Sequence, residues 1–412
     1  MEHNLDELLN KRDVKRAEVL IARSLRAELS APERARLLIA RSRARLLSAR
    51  VDDALEDLDR ARELLLDEFE TPLTLELLGD CHFARFELAS VGFADRNDTA
   101  QALTAYARIL ENFPQYSNRG WIYYQRGRVL LTENRTDDAL DCFQNTLLTP
   151  STLPALTAYC YERLGFVAFY ERREFEQALS FLSKAIATYP PSDDRPWLVH
   201  VHTLRSRIFR EMHDYDAAVN EANTAISVAV SAEGKAGLSD ALLNAAETLM
   251  LVEGHERDVI AHLQQYTQIS KRPLGIDVTW SRIHEMLGDA YFKTNGFQNA
   301  VAAYQAALQF NPYTPWELSL HYRIARTLYQ LGDYEKSVQA IKIMLQAADN
   351  DGQAIADYRV YNILGNSYFA LRSYPEAIRA YENALQIAPA NADSLDKIRQ
   401  YYQFAQDLSR PV

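Results

Sequence analysis

The chain has 412 residues, room for two or three globular domains or for one long array of small repeated units. Apolar residues make up 48% and charged residues 25%, the balance of a folded, water-soluble protein, and no apolar run reaches the ~18 residues that a membrane span requires. A formal net charge of -11 counts against broad nucleic-acid binding, which depends on Lys and Arg neutralising phosphates.

With only 14 Gly and 14 Pro, and apolar residues recurring at helical spacing nearly throughout, the elements are expected to be helices. The opening MEHNLDELLNKRDVKRAEVL is highly charged and lacks the apolar core of a signal peptide, so a cytoplasmic location is expected. Residues 1–34 read as a degenerate helical pair. RARLLIARSRARLLSAR (34–50) follows, with six arginines and no acid. Arg36, Arg43 and Arg50 recur every seven residues, and Arg34, Arg41 and Arg45 form an adjacent stripe. This face either meets an anionic partner or pairs with Asp52, Asp53, Glu56, Asp57 and Asp59 of the next helix; internal pairing is the favoured reading. Cys81, Cys142 and Cys160 are far apart and form no CxxC pair, which marks them as small buried thiols rather than disulfides or zinc ligands.

Further along, MLGDAYFKTNGFQNAVAAYQAALQFNP (286–312) and LGNSYFALRSYPEAIRAYENALQIAP (364–389) repeat one another. Leu287-Gly288 matches Leu364-Gly365, Tyr291 matches Tyr368, and Ala300, Tyr304, Ala307 and Pro312 match Ala377, Tyr381, Ala384 and Pro389. The tail, ADSLDKIRQYYQFAQDL, suits a solvating end helix over 392–412, with Tyr401, Tyr402 and Phe404 as its cap. Whether the chain forms a dimer is left open.

This pattern of Leu-Gly, aromatic, small, aromatic, small and Pro over about 34 residues resembles the tetratricopeptide repeat. Gly lets two helices approach, the small residues do the same at the next contact, aromatics fill the spaces, and Pro stops the second helix. The resemblance implies an all-α, right-handed superhelical solenoid of antiparallel helix pairs with about nine repeats and about 75–80% helix. Carried along the chain, the frame falls on 35–68, 72–115, 120–153, 158–191, 199–232, 240–273, 281–314, 318–351 and 358–391. Residues 72–115 contain an insertion around FELASVGFADRND, while 35–68, 240–273 and 318–351 keep little of the signature.

Catalytic, cofactor and metal sites are not expected. No Gly-rich phosphate loop is present, and His284-Glu285 fails as HExxH because position 288 is Gly. His202, His284 and His321 share the fourth place of their repeats, a packing place, and are read as structural; His200 and His202 point apart on a helix.

The resemblance implies instead a non-catalytic interaction scaffold that grips a peptide or partner protein in the groove lined by the first helix of each repeat. Places 2, 5, 9 and 12 of that helix avoid the packing places and are expected to face the groove. They hold Tyr124 and Arg128; Tyr159, Glu162, Phe166 and Phe169; Arg207 and Arg210; Glu285 and Asp289; Tyr322, Arg326 and Tyr329; and Asn362 and Asn366. Arg can clamp carboxylates, Tyr supplies stacking area, and Asn can hold both donor and acceptor of a peptide backbone. The Lys/Asn/Asn/Lys/Arg clamp by which chaperone-binding relatives hold an EEVD-like tail is not found. The runner-up is a regulatory sensor or assembly factor acting through a separate chain. RNA binding would need a basic groove with one reading set per repeat, and the charge counts against it.

Overall fold

The computed structural model describes residues 5, 7–9, 13–89, 94–151, 153–190, 196–232, 235–313, 315–392 and 394–410. It is 79% helical, with no strand among the described residues. Two compact units divide the chain, residues 1–193 and 194–412.

In the first unit α1 (Val14–Ser24) precedes four hairpins: α2 (Ala31–Leu47) with α3 (Val51–Leu65), α4 (Pro72–Leu88) with α5 (Arg96–Asn112), α6 (Arg119–Thr132) with α7 (Thr136–Leu148), and α8 (Leu156–Tyr170) with α9 (Phe175–Thr188). The second unit has five: α10 (Pro196–Glu211) with α11 (Tyr215–Ser231), α12 (Leu238–Leu249) with α13 (Glu256–Ile269), α14 (Val278–Lys293) with α15 (Phe297–Phe310), α16 (Trp316–Leu331) with α17 (Tyr334–Asn350), and α18 (Tyr358–Ala370) with α19 (Tyr374–Ile387). A final helix, α20 (Leu395–Ser409), packs on α19.

The helices begin where short acceptor side chains can satisfy first-turn N–H groups. Thr71 caps α4, Asp277 caps α14 and Asp333 caps α17, accepting from Thr74, Trp280 and Lys336. The turns inside the hairpins share one backbone device. Ala49, Asn134, Arg173, His213, Gly254, Asn295, Gly332 and Arg372 all take positive φ, each two residues before its second helix starts. A left-handed residue there reverses the chain in one short step. Between α4 and α5, residues 90–93 of the expected insertion lie outside the described residues. The part before them, Phe86–Leu88, is the last turn of α4 rather than loop.

In four hairpins the two helices meet at a first-helix glycine that lies under an aromatic ring. A Cβ on Gly365 would stand 2.5 Å from Cε1 of Tyr381, and one on Gly127 would stand 2.6 Å from Phe143. Gly79 and Gly288 take the rings of Tyr106 and Tyr304 in the same way. Ala102, Ala139, Ala300 and Ala377 are fully buried at the neighbouring small place. The α12–α13 hairpin has no ring on a glycine; Leu242, Ala246, Leu249, Val259 and Leu263 hold it instead.

The Arg-rich helix α2 pairs largely with its neighbours. Arg41 reaches Asp57 of α3 at 2.6 Å, Arg45 reaches it at 2.8 Å, and Asp57 is fully buried. Arg45 also donates to the Asp53 carbonyl, while Arg50 turns back to Glu18 of α1 rather than to the following helix. Arg36 and Arg43 line a largely apolar hollow of 1050 Å³ beside α1 and α4. The three cysteines are buried free thiols, and burial pushes all three up; Cys81 and Cys160 reach about 12. His202 pairs with Glu221 at 2.7 Å, His284 stacks on Phe310, and His321 lies 3.7 Å from Glu317, so all three are packing residues.

Candidate partner-binding face

The first helices of the second unit line two adjoining hollows. The larger, of 520 Å³, lies among α14, α16 and the start of α18. Its floor is ionic. Arg323 of α16 reaches back to α14, 3.0 Å from Glu285 and in contact with Asp289, which also accepts from the Tyr304 hydroxyl at 2.7 Å. Burial raises the Glu285 carboxyl, and Arg323 opposes that rise.

Above this floor Arg326 is exposed, its guanidinium 4.4 Å from the centre of the Phe292 ring. It forms no ion pair with any described residue. Tyr322 stands half-buried beside it; burial raises its phenol, which Arg359 and Arg326 partly offset. The segment 354–357 borders the hollow, where Asp357 holds Arg359 at 2.7 Å. The smaller hollow, of 330 Å³, shares Asp289 and presents Met250, Leu251, Met286 and Trp316. Its acid, Glu247, is held by Arg210 at 3.3 Å and Arg282 at 3.2 Å.

Of the residues expected to face a groove, Tyr322 and Arg326 therefore come together, with Asp289 and Glu285 beneath. Tyr329 does not line either hollow and sets its ring 5.6 Å from Tyr334. Asn366 accepts from the Tyr381 hydroxyl at 2.8 Å, so its side chain is engaged inside its own hairpin; Asn362 is half-buried one turn earlier. Arg210 is committed to Glu247, and Arg207 is half-buried on α10.

Two expectations in the first unit are corrected. Tyr124 is 7% exposed, its ring packed among Phe143, Leu156 and Cys160, because place 5 of α6 turns into the next hairpin. Phe169 is 3% exposed, since the last turn of α8 folds it onto Tyr170 and Phe175. Glu162 is likewise buried and held by Arg163 at 2.6 Å. Tyr159 lies half-buried between the Tyr124 and Tyr189 rings, and Phe166 is half-buried against Tyr170. Arg128 pairs with Glu87, donates to Gln125 at 2.9 Å and covers Phe83.

The places rule missed Arg323, which sits at place 6. The same places in 72–115 hold Glu76 and Asp80 of α4, which lie outside the expected groove set. Glu76 accepts from Tyr116 at 2.7 Å and from Asn118 at 2.9 and 3.0 Å. Asp80 accepts from Tyr106 at 2.6 Å and from Trp121 and Gln125 at 3.2 Å each. Burial, with Asp80 beside it, pushes Glu76 up to about 7, and burial raises Asp80 too.

Among the described residues no group of three or more His, Cys, Asp or Glu could hold a metal ion, and no helix is long and apolar enough to cross a membrane. Helical hairpins repeated in series, four of them joined at a glycine under an aromatic ring, define a helical repeat protein. Tetratricopeptide repeat models match residues 75–116, 285–352 and 353–391, and the chain is a tetratricopeptide repeat protein. Over 103 residues, 25% of the chain, it is 28% identical to an Hsp70-Hsp90 organising protein of Plasmodium falciparum (isolate 3D7), spanning 18% of that protein's length. Among solved structures it is similar to a human IFIT1 dimer with PPP-AAAA, at 18% identity and a TM-score of 0.45, over 85% of this chain and 72% of that one. A tetratricopeptide repeat protein from Parabacteroides merdae aligns at 10% identity and a TM-score of 0.40, over 70% of this chain and 98% of that one.

Proposed function

We propose that the protein is a non-catalytic interaction scaffold and that the first-helix face of its second unit holds an extended segment of a partner protein. The observation that carries this reading is Arg326. It is an exposed cation stacked on Phe292 and without an ion pair among the described residues, at the edge of a 520 Å³ hollow, while Arg323 on the floor beneath is paired. A guanidinium preorganised on an aromatic ring suits a carboxylate of a bound segment, which can take two parallel hydrogen bonds from it. Tyr322 adds rigid stacking area, and the neighbouring hollow, with Met250, Met286 and Trp316, suits an apolar side chain. The segment that fits is therefore extended, with an acidic residue followed or preceded by a bulky apolar one.

The test is affinity retention from the source organism's lysate by wild type and by Tyr322→Ala/Arg326→Ala, after circular dichroism shows equal helicity. Asn366 is left intact because it holds Tyr381. A protein retained by wild type and lost by the variant, with Arg326→Ala alone weakening it by about tenfold, supports this face as the site. Equal retention by both overturns it.

A further inference from the structure

Residues 351–357 join the α16–α17 hairpin to α18, and 354–357 of them border the 520 Å³ hollow. The joint is tied at both ends. The Gln353 amide donates to the Ala348 carbonyl at 2.8 Å, and Asp357 caps α18 by accepting from the Arg359 amide at 2.9 Å. Between these ties exposure alternates: Ala354 and Ala356 are exposed, while Ile355 is half-buried against the core of the second unit. Side chains that point alternately to two sides are the mark of an extended strand.

This strand lacks a neighbour. Among the described residues, no hydrogen bond uses the backbone N–H or C=O of Ala354, Ile355 or Ala356. Three consecutive residues therefore present open donors and acceptors along the border of a hollow. Water can satisfy them, and so can a second strand, for which an unpaired edge is a ready template. The side chains suit a second strand. Alanine at 354 and 356 puts nothing long in the way of another backbone. The same hollow carries Arg326, stacked on Phe292 and without an ion pair among the described residues.

We propose that the acidic segment held on this face pairs main chain to main chain with residues 354–356, adding one strand beside them. The inference rests on the reading of Arg326 as a carboxylate clamp and says how the rest of the segment is held. Its support is independent of that reading: Arg326 is a cation on an aromatic ring, 354–356 is a run of unpaired backbone groups, and both line one hollow. Main-chain bonds supply affinity that tolerates changes in the partner's sequence, whereas Arg326 selects for charge. Successive side chains of a strand face opposite sides, so alternate residues of the segment face the hollow. The bulky apolar residue is thus expected two places from the acid, with a variable residue between them.

The full chain, labelled with [¹⁵N]alanine, would be titrated with Ac-Thr-Asp-Thr-Leu-Thr-NH₂ and with Ac-Thr-Leu-Thr-Asp-Thr-NH₂. The Ala354 and Ala356 amide resonances, assigned with Ala354→Ser and Ala356→Ser, should shift saturably with at least one of them. Ala356→Pro removes one donor and keeps Ile355 extended, and should weaken binding about tenfold. Methylating the Asp and Leu nitrogens blocks one edge of the peptide and methylating the Thr nitrogens blocks the other. Strand pairing uses one edge, so the two methylated forms should differ in affinity by about tenfold or more. Binding that needs Arg326 but leaves both alanine amides unmoved, or that ignores which edge is methylated, overturns the pairing and leaves the Arg326 face standing. Amide shifts that persist undiminished in Arg326→Ala support the pairing and count against Arg326 as the clamp. If neither peptide moves these amides in a folded wild type, the pairing falls, and retention from lysate still decides the face.

Discussion

Glu76 and Glu285 hold the same place in one local sequence but meet different partners from the next hairpin, the Asn118 amide for Glu76 and the Arg323 guanidinium for Glu285. This has a pH signature. Glu76 sits at about 7 in the folded chain against an ordinary value of 4.5, so between those values the folded state holds a proton that the unfolded chain has released. Its contribution to stability therefore falls as pH rises from about 4.5 to 7 and is level outside that window. Glu76→Gln removes the effect. Urea unfolding across this range should show the variant gaining on wild type up to about pH 7, and a pH-independent difference would mean that the carboxyl is not raised. The identities of Glu76 and Asp80 were legible in the sequence as places 5 and 9 of α4, although the groove set named above does not include them. Their state was not, because it depends on which side chain arrives from the next hairpin. Tyr124 and Phe169 show the converse error: the places rule gives an angle around a helix, and the next hairpin covers part of that angle.

The hairpins close through one left-handed residue, and only two of the eight are glycine. A side chain in that region costs about 1 kcal/mol, which glycine avoids at the expense of some extra freedom in the unfolded chain. Arg372 is exposed, has φ of 61°, and forms no ion pair among the described residues. Arg372→Gly is expected to stabilise the protein by about 0.5–1 kcal/mol, and Gly332→Ala to destabilise it by a similar amount, both read by chemical denaturation. If both changes act in the same direction, the turn is not what sets the effect. Sequence reading worked well for hairpins whose joint is a ring on a glycine, because Leu-Gly followed by Tyr is a rare signal. The α12–α13 hairpin is packed by alanine and leucine, which recur at helical spacing all along the chain, so only its period marks it.

In an array each hairpin is stabilised by its own joint and by the hairpins on either side, so damage stays local. Gly288→Ala drives a methyl into the Tyr304 ring and is expected to cost about 2–3 kcal/mol. Hydrogen exchange should lose most protection in α14 and α15, less in α12, α13, α16 and α17, and least in α18 and α19. Uniform loss across the second unit would mean that it unfolds as one block. The face that holds Arg326 is built on α14 and α16, in the first and second of these groups, so the same variant should weaken partner retention before it unfolds the ends.

The Gln125 and Arg323 positions carry a lesson about ancestry. An array grows by copying hairpins, and every copy of a Glu–Leu–Gly–Asp helix brings a new acidic pair with it. Which side chain meets that pair is written in the following copy, at a single position. A glutamine codon becomes an arginine codon by a single base change. One point mutation can thus change the charge that meets such a pair and leave the acids, the tyrosine and the glycine untouched.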